Sequence, residues 1–187
     1  GYTGATNSVA IGYPEAIELD TTNNRLFVAD TYNNRIMVFN LNSGTGKIDN
    51  YTPDYYLGQS NSSNTSAATT QAGLDRPTAM VFDPGTNLLY VADSGNHRVV
   101  VYNTASLATG MSASYVLGQA TYTASAVATS QSGMRFPQGL ELDTVGDKLF
   151  VSDTGNNRVL VYDVASITSG ENAQNVLGQA SFVARVY

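Results

Sequence analysis

The sequence predicts an all-β fold, a β-propeller of four-stranded antiparallel blades, with three blades in this chain. Three observations predict it. The chain repeats itself three times, its strand-like segments are apolar at consecutive positions, and the turns between them are very short. Tandem repetition of one small sheet is typical of propellers, because each sheet buries both faces against its neighbours.

The repeat is visible along almost the whole chain. Each copy opens on a proline that is followed six residues later by aspartate, and the glutamines near the copy ends lie 60 residues apart (Pro14, Pro77 and Pro137; Gln59, Gln119 and Gln179). Residues 1–187 therefore form a single propeller segment with repeat units at 14–76, 77–136 and 137–187. Residues 1–13 belong to an inter-blade linker.

Each unit contains four short β-rich runs, here called strands a to d. In the first unit, residues 26–29 of strand b and 36–39 of strand c are apolar throughout, which predicts burial on both faces. The a–b and b–c connections are too short for a parallel crossover, so the strands must pair as antiparallel hairpins. A small sheet covered on both faces is what a propeller blade requires.

Composition excludes several classes of function. Fifteen acidic residues against nine basic ones give a net charge of -6, which disfavours nucleic acid as a partner. No apolar run approaches the roughly 20 residues of a membrane span, so no membrane insertion is expected. The chain has no cysteine, which excludes disulfides and thiolate sites. Its low charge and its many Asn, Ser, Thr and Tyr residues are typical of secreted microbial proteins, so we expect an extracellular or cell-surface location.

The predicted topology places the b–c turns and the d–a linkers on one face of the blades, here called the linker face. Its linkers, residues 60–76 and 120–136, are long and polar, and long loops on a rigid scaffold often bind ligands. We expect single helical turns at 70–74, 130–134, 105–110 and 165–170. The candidate binding residues on this face are Tyr32, Asn33, Asn96, His97, Asn156 and Tyr122.

An aspartate ends strand b and an arginine opens strand c in every unit. These pairs, Asp30 with Arg35, Asp93 with Arg98 and Asp153 with Arg158, can meet across the turn. A site for a single ligand would consist of one set of side chains, whereas this pair recurs in all three units. The recurrence therefore predicts a structural latch, that is, an ion pair that holds the turn. Asp153 also begins an oxygen-rich stretch, but no bidentate acid follows it, so we expect no cofactor and keep Ca²⁺ as the alternative.

Glu18 and Glu141 interrupt the apolar strand a at one repeat position. They are the weak candidates for a metal site or a general base in a central channel; otherwise each accepts a hydrogen bond from a neighbouring blade. His97 replaces the asparagines found at this turn position in the other two units. One histidine without cysteines does not make a zinc site. No cluster of residues predicts catalysis, so we do not expect an enzyme, although the sequence leaves enzymatic activity open.

Glycosylation sequons begin at Asn50, Asn61 and Asn64.

The repeat resembles the NHL repeat. The resemblance rests on the proline-to-aspartate opening, on the Val-Ala-Asp end of strand b and on the Asn-Arg-Val/Ile start of strand c, and it is strongest at residues 151–162. The Val-Leu-Gly-Gln elements are similar to a bacterial surface-protein variety of the family. The resemblance implies a six-bladed ring, of which three blades are half. We therefore expect either a homodimer that closes a 3+3 ring or a fragment of a longer chain.

The leading functional hypothesis is a non-enzymatic scaffold, secreted or surface-exposed, that binds a protein or a glycan through the linker face. The first alternative is a metal-assisted hydrolase or lyase that uses the channel acids Glu18 and Glu141. The second alternative is a structural subunit of an extracellular assembly.

Overall fold

The computed structural model describes residues 10–49 and 51–184. Twelve strands occupy this part of the chain. They are β1 (Pro14–Asp20), β2 (Arg25–Asp30), β3 (Arg35–Asn40), β4 (Tyr55–Leu57), β5 (Pro77–Asp83), β6 (Leu88–Asp93), β7 (Arg98–Asn103), β8 (Tyr115–Leu117), β9 (Pro137–Asp143), β10 (Lys148–Asp153), β11 (Arg158–Asp163) and β12 (Asn175–Leu177).

The strands form three antiparallel four-stranded sheets, each in simple sequence order. The a strands β1, β5 and β9 lie side by side from sheet to sheet, so they are the inner strands. Strands β4, β8 and β12 are the outer ones. The predicted all-β fold of four-stranded blades is confirmed, and the described chain is a half-propeller of three blades.

The core lies between the blades, which explains why the b and c strands are apolar at every position. On β2, Phe27 and Ala29 pack into a cluster shared with the second blade, while Val28 points to the opposite side of its sheet. A second cluster joins β6 and β7 to the third blade. The middle strands of the first two blades are therefore buried on both faces, as their unbroken apolar sequence requires.

The predicted helical turns in the linkers and c–d connections are wrong. Residues 70–74, 130–134, 105–110 and 165–170 form turns, bends and extended chain instead. In the described ranges, helix occurs as single 3-10 turns in the b–c connections, at Thr31–Asn33, Ser94–Asn96 and Thr154–Asn156. Each ends in a left-handed residue that reverses the chain into strand c.

No helix in residues 10–49 and 51–184 is long and apolar enough to cross a membrane.

Candidate functional site

The recurrent Asp–Arg pairs lie in contact under the linker face, with both side chains buried. The Nε–Oδ2 distances are 2.6 Å for Arg35–Asp30 and 2.7 Å for the other two pairs, Arg98–Asp93 and Arg158–Asp153. Buried charges are costly unless they are paired and fully hydrogen-bonded. These pairs meet that condition, because each arginine also donates to backbone carbonyls and each aspartate also accepts from a backbone amide and an asparagine side chain.

Each arginine joins two linkers to its blade. Arg98 donates from Nη2 to the carbonyl oxygens of Thr70 and Gly73, both at 3.0 Å, and from Nη1 to that of Tyr122. The first two carbonyls belong to the linker before the blade and the third to the linker after it. On the other side of the pair, the Asp93 carboxylate accepts the amide of Asp75 at 2.7 Å. The pair therefore fixes the linkers as well as the turn.

Burial raises the pKa of two of these aspartates, Asp93 and Asp153. It raises the pKa of Asp93 to about 6, against the lowering effect of Arg98 and of hydrogen bonds from Asp75 and Asn96. Burial also raises the pKa of Asp153, while Asn156 and Arg158 lower it. Arg98 and these hydrogen bonds favour the ionised form of the Asp93 carboxylate, which holds the guanidinium.

The three asparagines expected on the binding face belong instead to this buried network. Asn33, Asn96 and Asn156 are buried, and each donates from Nδ2 to the aspartate of its own turn at 2.8–3.0 Å. Asparagine Nδ2 fits this position because the carboxylate needs a second donor beside arginine. A ligand on the surface does not reach these buried asparagines. Other residues, described below, form the exposed surface of the linker face.

His97 connects the second and third blades. Its Nδ1 accepts the backbone N–H of Phe136 at 3.2 Å, and the two rings meet edge to face at 4.3 Å. Asn34 makes the equivalent contact between the first and second blades, where its Oδ1 accepts the backbone N–H of Arg76 at 2.8 Å. Burial lowers the pKa of His97 and the Arg76 guanidinium lowers it further, whereas Asp75 and Asp153 raise it. The imidazole is therefore neutral in the folded chain at pH 7, as its acceptor role demands.

We expect His97→Asn to remove one pH-dependent contribution to stability. Below about pH 6.5 the unfolded chain protonates His97, whereas the folded chain resists protonation because its pKa is lowered, so acid favours unfolding. The wild-type Tm should therefore fall relative to the variant's between pH 7 and pH 5, with no such trend above pH 7. Asparagine occupies the equivalent positions 34 and 157 in the same left-handed conformation, so the variant fits. A Tm difference that stays constant from pH 8 to pH 5 would contradict this role.

Glu18 lies between the first two blades. Its Oε1 accepts the backbone N–H of Phe82 at 3.2 Å, and burial raises its pKa, with Glu141 adding to the increase. Glu141 occupies the equivalent position in the third blade and is exposed. Among residues 10–49 and 51–184, no group of three His, Cys, Asp or Glu side chains converges as a metal site would require.

Three equivalent residues are held in an unfavourable backbone conformation at the edge of the linker face. Tyr13, Arg76 and Phe136 each precede the opening proline of a blade and have φ of +57°, +48° and +48°. Bulky residues rarely adopt positive φ. This conformation costs of order 1–3 kcal/mol and persists only where the surrounding structure enforces it. The framework thus fixes three different exposed side chains in one geometry.

Two of these side chains, Arg76 and Phe136, line a cavity of about 230 Å³ at the ends of the inner strands. All three blades line it, through Glu15, Thr31, Tyr32, Arg76, Thr78, Ser94, Phe136 and Gln138. We call it the inner-strand cavity. Tyr32 is exposed there and stacks on Tyr13 at 4.7 Å with the rings 10° apart. The cavity offers aromatic faces, hydroxyl groups and one charge of each sign.

Sequence reasoning placed Tyr32 on this surface but missed its neighbours Tyr13, Arg76 and Phe136. A signal was present, because the residue before the opening proline changes type from unit to unit while its surroundings repeat. Tyr122 lies elsewhere. It packs against the core at the rim, where its hydroxyl donates to the Ser114 carbonyl at 2.7 Å.

Two of the three sequon asparagines lie on the linker face. Asn61 and Asn64 sit in a turn, where their Oδ1 atoms accept backbone N–H groups of Ser63 and Ser66. Asn50 is outside the described residues.

Comparison with known proteins identifies the repeat. The NHL repeat matches residues 74–102, which run from the end of a linker to strand β7. The chain contains an NHL repeat, and its other two units repeat the same sequence pattern. It is similar to NHL repeat-containing protein 2 of Gallus gallus, with 31% identity over 152 residues, and of Bos taurus, with 33% over 102. These matches cover 75% and 52% of this chain, and only 19% and 13% of the relatives.

A solved structure supports the fold of this NHL-repeat chain. Kuenenia stuttgartiensis hydrazine synthase superimposes with a TM-score of 0.58 over 97% of the chain, at 14% sequence identity. The match spans 40% of that neighbour. At this identity the similarity concerns the fold alone.

Proposed function

We propose that this chain is a non-enzymatic interaction scaffold that binds a protein partner through the linker face, with the inner-strand cavity at the centre of the contact. NHL-repeat proteins generally serve as scaffolds for protein interaction, which supports the first part. The observation that carries the second part is the contrast between a repeated framework and varied exposed side chains at one repeat position, Tyr13, Arg76 and Phe136.

The chemistry of this surface fits a protein partner. Tyrosine and arginine are enriched among residues that dominate binding energy, because they combine a large apolar area with hydrogen-bonding groups. Tyr32, Arg76 and Phe136 are exposed and border one cavity. The cavity, of about 230 Å³, is smaller than the roughly 300–1,000 Å³ of drug-sized ligand pockets, so it suits one inserted side chain.

We also propose an extracellular or cell-surface location and completion of the propeller ring by further blades, from a second copy or from a longer chain. The low charge and the abundance of Asn, Ser, Thr and Tyr support the location. The exposed apolar residues of the end blades support the completion. A glycan is the other ligand class that the aromatic rings and hydroxyl groups could accommodate.

Point variants test the linker face better than deletion of residues 60–76, because that linker carries the buried Leu74. The chain is screened against a displayed peptide library and a glycan array, and the selected ligand is titrated against Tyr32→Ala and Phe136→Ala. We expect peptide binding that weakens at least tenfold in both variants. The control is Val145→Ala, which removes an exposed side chain from the a–b turn on the opposite face. Binding that is lost in the control but kept in both variants would overturn the proposal, and selection of glycans alone would replace the protein partner.

A further inference from the structure

A histidine stands in the second unit where the other two units have asparagine. Asn34, His97 and Asn157 follow the 3-10 turns of the b–c connections in the same left-handed conformation, with φ of +53°, +56° and +52°. The sequence contains no other histidine. Asparagine does not titrate, whereas histidine changes its charge near neutral pH. The second blade therefore carries a titratable group at a position where the equivalent residues keep one charge state.

The contact that His97 makes requires the neutral imidazole. Its Nδ1 accepts the backbone N–H of Phe136 at 3.2 Å, so the proton of the neutral ring lies on Nε2. A protonated imidazole carries a proton on both nitrogens and would place one donor against another. In the equivalent contact, Oδ1 of Asn34 accepts the backbone N–H of Arg76 at 2.8 Å and remains an acceptor in acid. Acid therefore removes the acceptor at one blade junction and leaves the other intact.

Phe136 depends on this acceptor more than its chain neighbours do. Its φ of +48° is a conformation that persists in a bulky residue only where the surroundings enforce it. The preceding residue, Arg135, is held separately, because its amide donates to the Asp153 carboxylate at 2.6 Å. The following residue, Pro137, pairs with Asp153 in the sheet. Loss of the His97 contact therefore frees Phe136 locally, between two anchored residues.

Charged groups on two other elements face the imidazole. Arg76 and Asp75 belong to the linker before the second blade, and Asp153 ends strand β10 of the third. Burial and the Arg76 guanidinium lower the pKa of His97, whereas the two carboxylates raise it. The contact therefore holds a proton less tightly than a solvated imidazole, whose pKa is about 6.5. By linkage, a falling pH shifts the population toward a state in which His97 is protonated and the contact is broken.

We propose that His97 is a pH-sensitive switch for the inner-strand cavity, in which protonation of the imidazole breaks the contact with Phe136 and releases that side chain from the cavity wall. Phe136 lines the inner-strand cavity, so acid removes an aromatic face from it. Both residues lie at the junction of the second and third blades, inside the described chain, so the switch does not depend on further blades. The switch needs no partner, and only its effect on binding rests on the proposed function.

Nuclear magnetic resonance tests the switch in the full chain without a ligand. The single imidazole gives one titration curve, and amide exchange gives the protection factors of Phe136 and Arg76, which correct for the intrinsic effect of pH. We expect the protection factor of Phe136 to fall at least about tenfold between about pH 7.5 and pH 5, in step with the imidazole titration. That of Arg76 should change less than about twofold. An imidazole that stays neutral at pH 5, or a Phe136 amide whose protection is unchanged or higher when His97 is protonated, would overturn the proposal.

The variant His97→Asn separates the switch from the buried carboxylates. Asp93 and Asp153 also gain protons more readily than ordinary aspartates, because burial raises their pKa, and both remain in the variant. Asparagine keeps an acceptor for the Phe136 amide, as at the equivalent position of the first unit. We expect the protection factor of Phe136 in this variant to change less than about twofold between the two pH values. An equal fall in the variant and the wild type would assign the effect to the carboxylates and contradict the switch.

Binding of the peptide selected from the displayed library tests the consequence for recognition. We expect the wild type to bind this peptide at least about fivefold more weakly at about pH 5 than at pH 7.5, and His97→Asn to show less than about half of that change. If no peptide is selected, the proposed function fails, while the exchange of the Phe136 amide still decides the switch. Equal losses of affinity in the wild type and the variant would show that His97 does not control the cavity.

Discussion

Replacement of Arg98 by alanine is expected to lower the free energy of unfolding by about 3–5 kcal/mol. The substitution leaves the Asp93 carboxylate buried without its cation and frees the carbonyls of Thr70, Gly73 and Tyr122, which belong to two linkers. Breaking one side of a buried ion pair costs more than the pair contributes, because the remaining charge stays desolvated. Urea denaturation followed by circular dichroism measures the change.

The matched control is Arg76→Ala on the same face. Arg76 is exposed and pairs with the half-buried Asp75 at 3.2 Å, so its loss should change stability by no more than about 1 kcal/mol. If Arg98→Ala and Arg76→Ala destabilise the chain equally, the buried pair does not hold the linkers.

Gly58→Ala is expected to destabilise the chain by about 2–5 kcal/mol, from two separate costs. An alanine at φ of +90° is strained, and its Cβ would lie 2.6 Å from Leu74 Cδ1 and 2.9 Å from the Asn34 carbonyl oxygen. Because the backbone atom does not move aside easily, the blade interface must shift. Thermal unfolding of the two proteins at one scan rate measures the difference.

Gly46→Ala separates these two costs. Gly46 also has positive φ, +66°, but an added Cβ meets nothing within 4 Å. This variant should lose only the backbone contribution, about 1–2 kcal/mol. Equal losses in Gly46→Ala and Gly58→Ala would show that the Leu74 contact contributes nothing to the blade interface.

Much of the fold follows from local sequence. The apolar runs in β2 and β3, with only a few residues between them, leave antiparallel hairpins buried on both faces as the sole consistent arrangement. The recurrence of aspartate before the turn and arginine after it also predicted which side chains meet. Such inferences succeed because strand periodicity and turn length are properties of a few neighbouring residues.

The linker face could be predicted only in part. Polar residues such as Asn96 look like surface residues in sequence, yet Asn96 is buried by a carboxylate and a linker that lies 27 residues away. The helical turn expected at 70–74 is replaced by bends in which the carbonyls of Thr70 and Gly73 accept hydrogen bonds from Arg98. Long-range hydrogen bonds decide both cases, and a single sequence does not show them.

Native-state hydrogen exchange tests most directly the claim that buried ion pairs turn the linkers into a rigid recognition face. The amides of Asp75 and Arg135 donate to Asp93 and Asp153 at 2.7 and 2.6 Å. Both amides should exchange only with global unfolding, as slowly as that of Val100 in the centre of β7. Exchange of these two linker amides as fast as that of the exposed Lys47 would contradict it.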